Sequence, residues 1–254
     1  MKALVFSDVH GEMDLVRELI DLAPDLKCDL GLFCGDVVRG YARGDEFLDA
    51  RANGREPDSR KPEILEERDE DIAFYSEFRE SLQAAPFPIY GVPGNMDAPE
   101  GRYLRCALTE TGARSPLEVV HRSPTRHHGI AICGLGGEIT AEQREVSLVL
   151  QFPRWEALHQ FRVLDLVDDP TVVVLHTPPV GDVVDIDNGG HKGSEVVNEI
   201  LDAYGPTLAV AGHAHDAQGR ETIARTTVVN PGALKNGNYA VVDLESMEAD
   251  LRSL

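Results

Sequence analysis

ALVFSDVHG, residues 3–11, joins a short run of strand-forming apolar residues to the polar ending Asp-Val-His-Gly. The residues that follow, 13–23 (MDLVRELIDLA), place leucine, valine and isoleucine at the spacing of one helical face. A strand followed at once by an amphipathic helix is how a βαβ unit begins. This stretch therefore predicts an α/β protein.

The combination of an apolar run and a polar ending recurs four more times along the chain. It is found at residues 30–38, 86–97, 171–178 and 207–216, where the endings include GDVV, PGNMD, HTP and GHAHD. Each ending is expected at the C-terminal edge of a sheet, where α/β proteins bind their ligands. Together with the β-rich C-terminal part, the pattern predicts two packed sheets with flanking helices and one site where the five endings meet.

The five endings carry seven side chains that can bind a metal ion. In both D-x-H and H-x-H the donors are two residues apart, which directs both side chains to the same side of an extended chain. Four donors for each ion, with one carboxylate shared, would build two adjacent sites. The first would be formed by Asp8, His10, Asp36 and His215, and the second by Asp36, Asn95, His176 and His213.

This donor set indicates the metal and the chemistry. It mixes imidazole, carboxylate and amide groups without a thiolate, which favours two divalent ions of Mn, Fe, Ni or Zn. Two such ions about 3.5–4 Å apart can hold the oxygens of an in-line phosphoryl displacement and generate hydroxide near neutral pH. Glycines next to the donors (Gly35, Gly94 and Gly212) permit close approach of the backbone.

The series D-x-H, G-D, G-N-x-D, H and G-H-x-H, in this order from Asp8 to His215, resembles the calcineurin-like metallophosphoesterase superfamily. The stretch VVNPG (228–232) resembles that family as well. The resemblance implies a single domain over 1–254 with a four-layer α-β-β-α sandwich of two mixed β-sheets. It also implies a dinuclear metal centre, the same seven ligands, and hydrolysis of phosphate esters.

Met96 is a departure from the family pattern. Many members have a histidine there that steadies the transition state or protonates the leaving group, and a thioether has no proton to give. Asn95 keeps its role as a neutral ligand, and Asp97 is expected to interact with a metal ligand rather than with the metal itself. His191 is a candidate acid or substrate contact. Arg39 is a candidate phosphate contact, although a surface or lid position fits it better.

Three further segments carry weaker signals. Residues 39–71 are polar and charged, which predicts an insertion or lid with some helix, and a helix is expected from about Asp71. One or two helices are expected within 141–163. The loop 180–194, together with the insertion, is expected to select the substrate.

The formal net charge of −20 argues against a protein that binds nucleic acid by neutralising phosphates. The sequence shows neither a membrane span nor a signal peptide, which predicts a cytoplasmic protein with no membrane contact. It leaves the oligomeric state open, a homo-oligomer included.

The predicted function is a dinuclear metal-dependent phosphodiesterase that acts on a small anionic phosphate ester through a metal-bridging hydroxide. A non-catalytic scaffold subunit with the same fold is a second hypothesis, which is less favoured because all seven ligand positions are filled. Phosphomonoesterase activity and nuclease activity are a third and a fourth.

Overall fold

The structure is a computed structural model that describes residues 1–107, 116–141 and 144–254. Its strands, in chain order, are β1 (Lys2–Phe6), β2 (Leu30–Phe33), β3 (Ile89–Gly91), β4 (Leu117–Val119), β5 (Thr125–His127), β6 (Ile130–Leu135), β7 (Glu138–Thr140), β8 (Gln151–Pro153), β9 (Thr171–Leu175), β10 (Ile186–Asp187), β11 (Gly190–His191), β12 (Leu208–Val210), β13 (Gly219–Ile223), β14 (Thr226–Asn230), β15 (Asn238–Asp243) and β16 (Ala249–Ser253). Its α-helices are α1 (Met13–Leu26), α2 (Tyr41–Ala52), α3 (Pro62–Leu82), α4 (Glu100–Ala107), α5 (Arg154–Phe161) and α6 (Glu195–Tyr204).

Two six-stranded sheets form the centre of the fold. The first has the order β16-β15-β1-β2-β3-β4, in which β1 to β4 are parallel, β15 pairs antiparallel with β1, and β16 pairs antiparallel with β15. The second has the order β13-β14-β12-β9-β6-β5, with four parallel central strands and an antiparallel strand at each edge. Both sheets are therefore mixed, as predicted.

The burial of β1 shows how the layers are arranged. Ala3 and Val5 belong to an apolar core shared with Val172 and Val174 of the second sheet. Leu4 and Phe6, on the opposite face, belong to a core shared with α1 and α3. A third core lies between the second sheet and helices α5 and α6. Because successive side chains of a strand point to opposite faces, each sheet is covered on both sides. This is the predicted four-layer α-β-β-α sandwich.

Two predicted boundaries were wrong. Helix α3 begins at Pro62 rather than at about Asp71, because proline is well suited to the first helical position. Its N-terminal half has no clear apolar stripe, since only Ile64 is buried before Asp71. The region 141–163 contains β8 before the short helix α5, and a 3₁₀ helix continues over Arg162–Leu166.

Arg43 joins the two helices of the segment 39–71 and also attaches this segment to the loop that follows β3. Arg43 of α2 is fully buried, and its Nη1 donates to Asp71 Oδ2 of α3 at 2.6 Å. Its Nη2 donates to the carbonyl of Met96 at 2.9 Å. The beginning of α2 is therefore fixed to the loop that follows β3.

In the part of the chain that the structure describes, no helix is both long and apolar enough to cross a membrane.

Candidate metal centre

The five polar strand ends meet where the C-terminal edges of the two sheets face each other. Strands β1, β2 and β3 of the first sheet lead into Asp8, Asp36 and Asn95, and strands β9 and β12 of the second lead into His176 and His213. The structure therefore brings residues from both sheets to one place, as the sequence predicts.

Asp8, His10 and His215 form one cluster, in which one ligand atom of each lies within 4.8 Å of the others. The Nε2 atoms of His10 and His215 are 3.1 Å apart, and Asp8 Oδ1 is 3.2 Å from His215 Nε2. These are three of the four residues predicted for the first site.

Asp36 lies between the two predicted sites. Its Oδ2 is 3.6 Å from His10 Nε2 and 3.4 Å from His176 Nε2, so one carboxylate oxygen approaches a histidine of each site. Asp36 Oδ1 accepts a hydrogen bond from the backbone N–H of Met96 at 2.8 Å. This placement suits the bridging role that the sequence suggests for Asp36.

The second cluster differs in part from the prediction. Asp36 and His176 group with Asp8, all within 4.8 Å, so that Asp8 belongs to both clusters. Asn95 Oδ1 lies 2.8 Å from His176 Nε2. His213 is placed next to His176, with ring centroids 5.0 Å apart, and its backbone N–H donates to Asp8 Oδ2 at 3.0 Å. The carboxylate of Asp8 thus also holds the H-x-H turn.

The side chains fit a bound cation because acceptor atoms face one another. His176 Nδ1 lies 2.8 Å from the Cys34 carbonyl, so Nδ1 carries the proton, and Nε2 presents a lone pair to the amide oxygen of Asn95. In the same way, His10 Nδ1 lies 3.2 Å from the Val38 carbonyl, which leaves its Nε2 free to bind a metal.

A buried carboxylate oxygen also indicates that the side chains fit a bound cation. Asp8 Oδ1 is buried, and its one close polar neighbour among the described residues that could act as a donor, His215 Nε2 at 3.2 Å, is not placed to form a hydrogen bond with it. An isolated buried acceptor is unfavourable unless a cation or a donor satisfies it. A divalent ion between Asp8, His10 and His215 would satisfy this oxygen and separate the two Nε2 atoms.

The charges of the site agree with this interpretation. Burial raises the pKa of Asp36, and the carboxylates of Asp8 and Asp97 raise it further. Burial also raises the pKa of Asp8, but the adjacent imidazoles of His215, His176 and His10 outweigh it, so the pKa of Asp8 is lowered. Bound divalent ions would favour the ionised form of all these carboxylates.

Two imidazoles of the centre are held in the neutral form, which is the form that binds metal. Burial, as the largest cause, lowers the pKa of His10 to about 4. Burial, followed by the charge of His176, lowers the pKa of His213 to about 3.

Four of the predicted ligands have a left-handed backbone that residues other than glycine rarely adopt. The φ angles are 56° for Asp8, 47° for His10, 62° for Asp36 and 68° for His213. Such strain is about 1–3 kcal/mol for each residue and is concentrated at functional sites. The turns are possible because adjacent glycines allow close contact: a Cβ on Gly94 would lie 2.0 Å from Asp36 Oδ1.

Asp97 accepts hydrogen bonds from the backbone of the loops that carry the candidate ligands, as the sequence predicts. Its buried carboxylate accepts hydrogen bonds from the backbone N–H groups of Asp36 at 3.0 Å and Gly94 at 2.7 Å. It also accepts from the N–H of Val37 at 3.1 Å and from the Tyr75 hydroxyl at 3.0 Å. Burial raises the pKa of Asp97, and these donors act in the opposite direction.

Arg39 and His191 contact residues outside the two clusters. The guanidinium of Arg39 lies 5.1 Å from the centroid of the Phe74 ring, and its Nε would be 3.0 Å from a Cβ on Gly11. The side chain of His191 is 57% exposed on the hairpin of β10 and β11, with Nδ1 3.0 Å from Asp185 Oδ2. Their roles stay predictions.

Two residues that position the site were missed in the sequence. Asn230, in the VVNPG stretch, donates from Nδ2 to the carbonyls of Val184 at 2.9 Å and Ala214 at 3.1 Å, and so joins the H-x-H turn to the loop 180–194. The stretch VVNPG, which resembles the family, could have drawn attention to Asn230. Arg43, which holds the Met96 carbonyl, gave no signal, because it lies among other charged residues.

Comparisons with known proteins agree with this geometry. A family model described as metallophosphoesterase, calcineurin superfamily, matches residues 1–254. A crystal structure that is 28% identical covers 99% of this chain and 98% of its own, with a TM-score of 0.90. The crystal structure of the protein TT1561 of Thermus thermophilus is 25% identical, with a TM-score of 0.76 and the same coverage of 99% and 98%.

A dimetal phosphatase from Danio rerio shares the fold. It is 13% identical, with a TM-score of 0.63, over 100% of this chain and 95% of that chain. The match of the family model over the whole chain agrees with the convergence of the metal-binding side chains. The chain therefore belongs to the calcineurin superfamily of metallophosphoesterases, which hydrolyse phosphate ester bonds.

Proposed function

We propose that this chain is a dinuclear metal-dependent phosphodiesterase that acts on a small anionic phosphate diester. The observation that carries the proposal is Met96, which takes the place of the proton donor that many members of the family have. Its side chain packs toward the beginning of α2, where a Cβ on Gly40 would lie 3.0 Å from its sulfur. A thioether cannot protonate a leaving group, so the substrate must be one whose leaving group departs with little help from residue 96.

The net charge favours a diester over a monoester. A phosphodiester carries one negative charge at neutral pH, whereas a monoester carries up to two. A protein with a formal charge of −20 repels the doubly charged substrate more strongly. Two divalent ions held by these residues would reverse this sign only locally.

The chain's own residues would hold two divalent ions of Mn, Fe, Ni or Zn. Asp8, His10 and His215 would hold one ion, and Asn95, His176 and His213 the other, with Asp36 between them. When bound, the two ions supply a water-derived nucleophile near neutral pH and neutralise charge on the phosphoryl group.

Two lysines near the centre are candidates to bind the phosphate. The charge of Lys235 contributes to the lowered pKa of His10, and the charge of Lys192 contributes to that of His213. The backbone N–H of Lys235 also donates to the Asp8 carbonyl at 3.1 Å. We expect these two positive charges to attract an anionic substrate toward the centre.

A substrate comparison tests the proposal. Metal-stripped protein would be titrated with Mn²⁺ and assayed on bis-p-nitrophenyl phosphate and on p-nitrophenyl phosphate, with Asp36→Ala as the inactive variant. Asp21→Ala, which removes an exposed carboxylate of α1, is the matched control. We expect the larger kcat/KM on the diester. A larger kcat/KM on the monoester would show that the chain is a phosphomonoesterase, and two bound ions without turnover would favour a scaffold subunit.

A further inference from the structure

A cavity of about 450 Å³ lies between helices α3 and α4, apart from the metal ligands. Its lining from α3 consists of Ile72, Tyr75, Ser76 and Arg79, which are spaced as one face of a helix. Arg102 and Arg105, three residues apart on α4, line the opposite side. Cavities of this size are typical of sites for small molecules.

The lining of the cavity is positively charged, although the protein as a whole is acidic. Three of its six lining residues are arginines, while the chain as a whole has a formal charge of −20. Among the described residues, Arg102 is the one of the three arginines with a carboxylate partner, since its Nη1 lies 2.8 Å from Asp71 Oδ2. Within residues 1–107, 116–141 and 144–254, the side chains of Arg79 and Arg105 form neither a hydrogen bond nor an ion pair.

The carboxylates in contact with this region balance Arg43 and Arg102, since Glu67 Oε1 lies 3.3 Å from Arg43 Nη1 and the two guanidinium groups share Asp71. They make no ion pair with Arg79 or Arg105 within the described residues. Asp71 Oδ2 lies 2.6 Å from Arg43 Nη1 as well as 2.8 Å from Arg102 Nη1. Burial lowers the pKa of the adjacent Arg68, and the positive charges of Arg43 and Arg102 lower it further. The surplus of positive charge would be relieved by an anion in the cavity.

The geometry points to a second binding site, in which the guanidinium groups of Arg79, Arg102 and Arg105 hold the phosphate of an organic molecule of about mononucleotide size. Guanidinium groups bind phosphate oxygens with paired hydrogen bonds, which is why arginine is common in phosphate sites. Ser76 offers a hydroxyl, and Ile72, whose surface is 60% exposed, offers an apolar contact for the rest of the molecule.

The site is separate from the proposed phosphoesterase activity and can be tested without it. Arg102 and Tyr75 are unsuitable for substitution, because they hold Asp71 and Asp97 and so support the fold. Arg79 and Arg105 have no such contacts within the described residues. The test variant is therefore Arg79→Ser combined with Arg105→Ser, and the charge-matched control is Arg60→Ser combined with Arg162→Ser, two exposed arginines elsewhere.

Isothermal titration with adenosine 5′-monophosphate would be performed on the metal-loaded protein and on Asp36→Ala, in which the metal centre is disrupted. We expect saturable binding that persists in Asp36→Ala and is weakened about tenfold or more by the two cavity substitutions in either background. The control pair should leave binding unchanged, and adenosine, which lacks the phosphate, should bind much more weakly.

Equal binding of the nucleotide by the cavity variant and the control would overturn the proposal. So would adenosine binding as tightly as the nucleotide, or binding that disappears in Asp36→Ala, which would place the nucleotide at the metal centre. Circular dichroism and the melting temperature of the cavity variant establish that it is folded.

Discussion

Replacing Asp97 by asparagine tests whether the ligand loops depend on a buried carboxylate. Asp97 Oδ2 accepts from the N–H groups of Asp36 and Gly94, and Oδ1 accepts from the N–H of Val37 and the hydroxyl of Tyr75. Asparagine has the same shape but offers one oxygen and one NH₂ group. With NH₂ in place of Oδ2, the N–H groups of Asp36 and Gly94 would lose their acceptor. With NH₂ in place of Oδ1, the N–H of Val37 would lose its acceptor, while the Tyr75 hydroxyl could turn and accept from the NH₂ group.

The size of the effect follows from these contacts. A buried donor left without an acceptor costs about 1–3 kcal/mol, so one or two such donors cost about 1–6 kcal/mol of unfolding free energy. This is a large share of the roughly 5–15 kcal/mol by which a typical domain is stable. Since Asp97 holds the turns that carry Asp36 and Asn95, we also expect metal affinity to fall about 10–100-fold.

Urea unfolding of the metal-free protein measures the first effect, and titration with Mn²⁺ measures the second. Asp243→Asn is the matched control, because Asp243 also accepts two backbone N–H groups, at 2.9 Å and 3.1 Å, but lies at the surface, where water can replace it. We expect a much smaller loss for the control. If Asp97→Asn were no more destabilising than Asp243→Asn, the reasoning would fail, and burial would have made Asp97 a neutral carboxylic acid.

Three further predictions concern the metal centre. Asp36→Ala should release both ions and abolish activity, because Asp36 is the carboxylate between the clusters; full metal content measured by mass spectrometry would contradict this. His215→Ala should weaken one ion and His213→Ala the other, as measured by separate Mn²⁺ affinities, and equal effects on a single ion would indicate one metal. Met96→His should raise kcat on an alkyl phosphodiester more than on bis-p-nitrophenyl phosphate, by about 100-fold or less, since a grafted acid is imperfectly placed. Equal gains on both substrates would mean that another group supplies the proton.

The convergence of the candidate ligands could be predicted, because each apolar run and its polar ending are adjacent in the sequence. Each of the runs that end at Phe6, Phe33 and Leu175 is apolar and is followed within three residues by a candidate ligand. In a largely parallel sheet, such endings collect at one edge. The order of the motifs then identified the family, and with it the two sheets.

The backbone conformation of the ligands could not be predicted in the same way. Positive φ angles at Asp8, His10 and Asp36 oppose the intrinsic preference of these residues. They are imposed by contacts between separate strand ends, such as the hydrogen bonds from the N–H groups of Val9 and His10 to the Asp36 carbonyl. No pattern within a single segment reports such contacts.

The beginning of α3 and the burial of Arg43 were missed for a related reason. Apolar periodicity reveals a helix that packs through an apolar stripe. The first half of α3 packs beside α2 largely through polar contacts, among them Glu67, whose carboxylate accepts from the backbone N–H of Ala42 at 2.8 Å. A charged sequence of this kind is typical of a solvated loop until the partner of each charge is known.

Helix α2 also packs against Met96, so the departure from the family pattern at residue 96 involves its neighbours as well. Gly40, in a left-handed conformation at φ 66°, and Gly44 both face its side chain, and a Cβ on either residue would approach it to 2.7 Å or 3.2 Å. Arg43, between these glycines, fixes the carbonyl of Met96. The first turn of α2 therefore packs against residue 96. Because this turn limits the space around residue 96, a histidine introduced there would lie against Gly40 and Gly44. Met96→His alone is therefore expected to recover only part of the assistance that an acid can give.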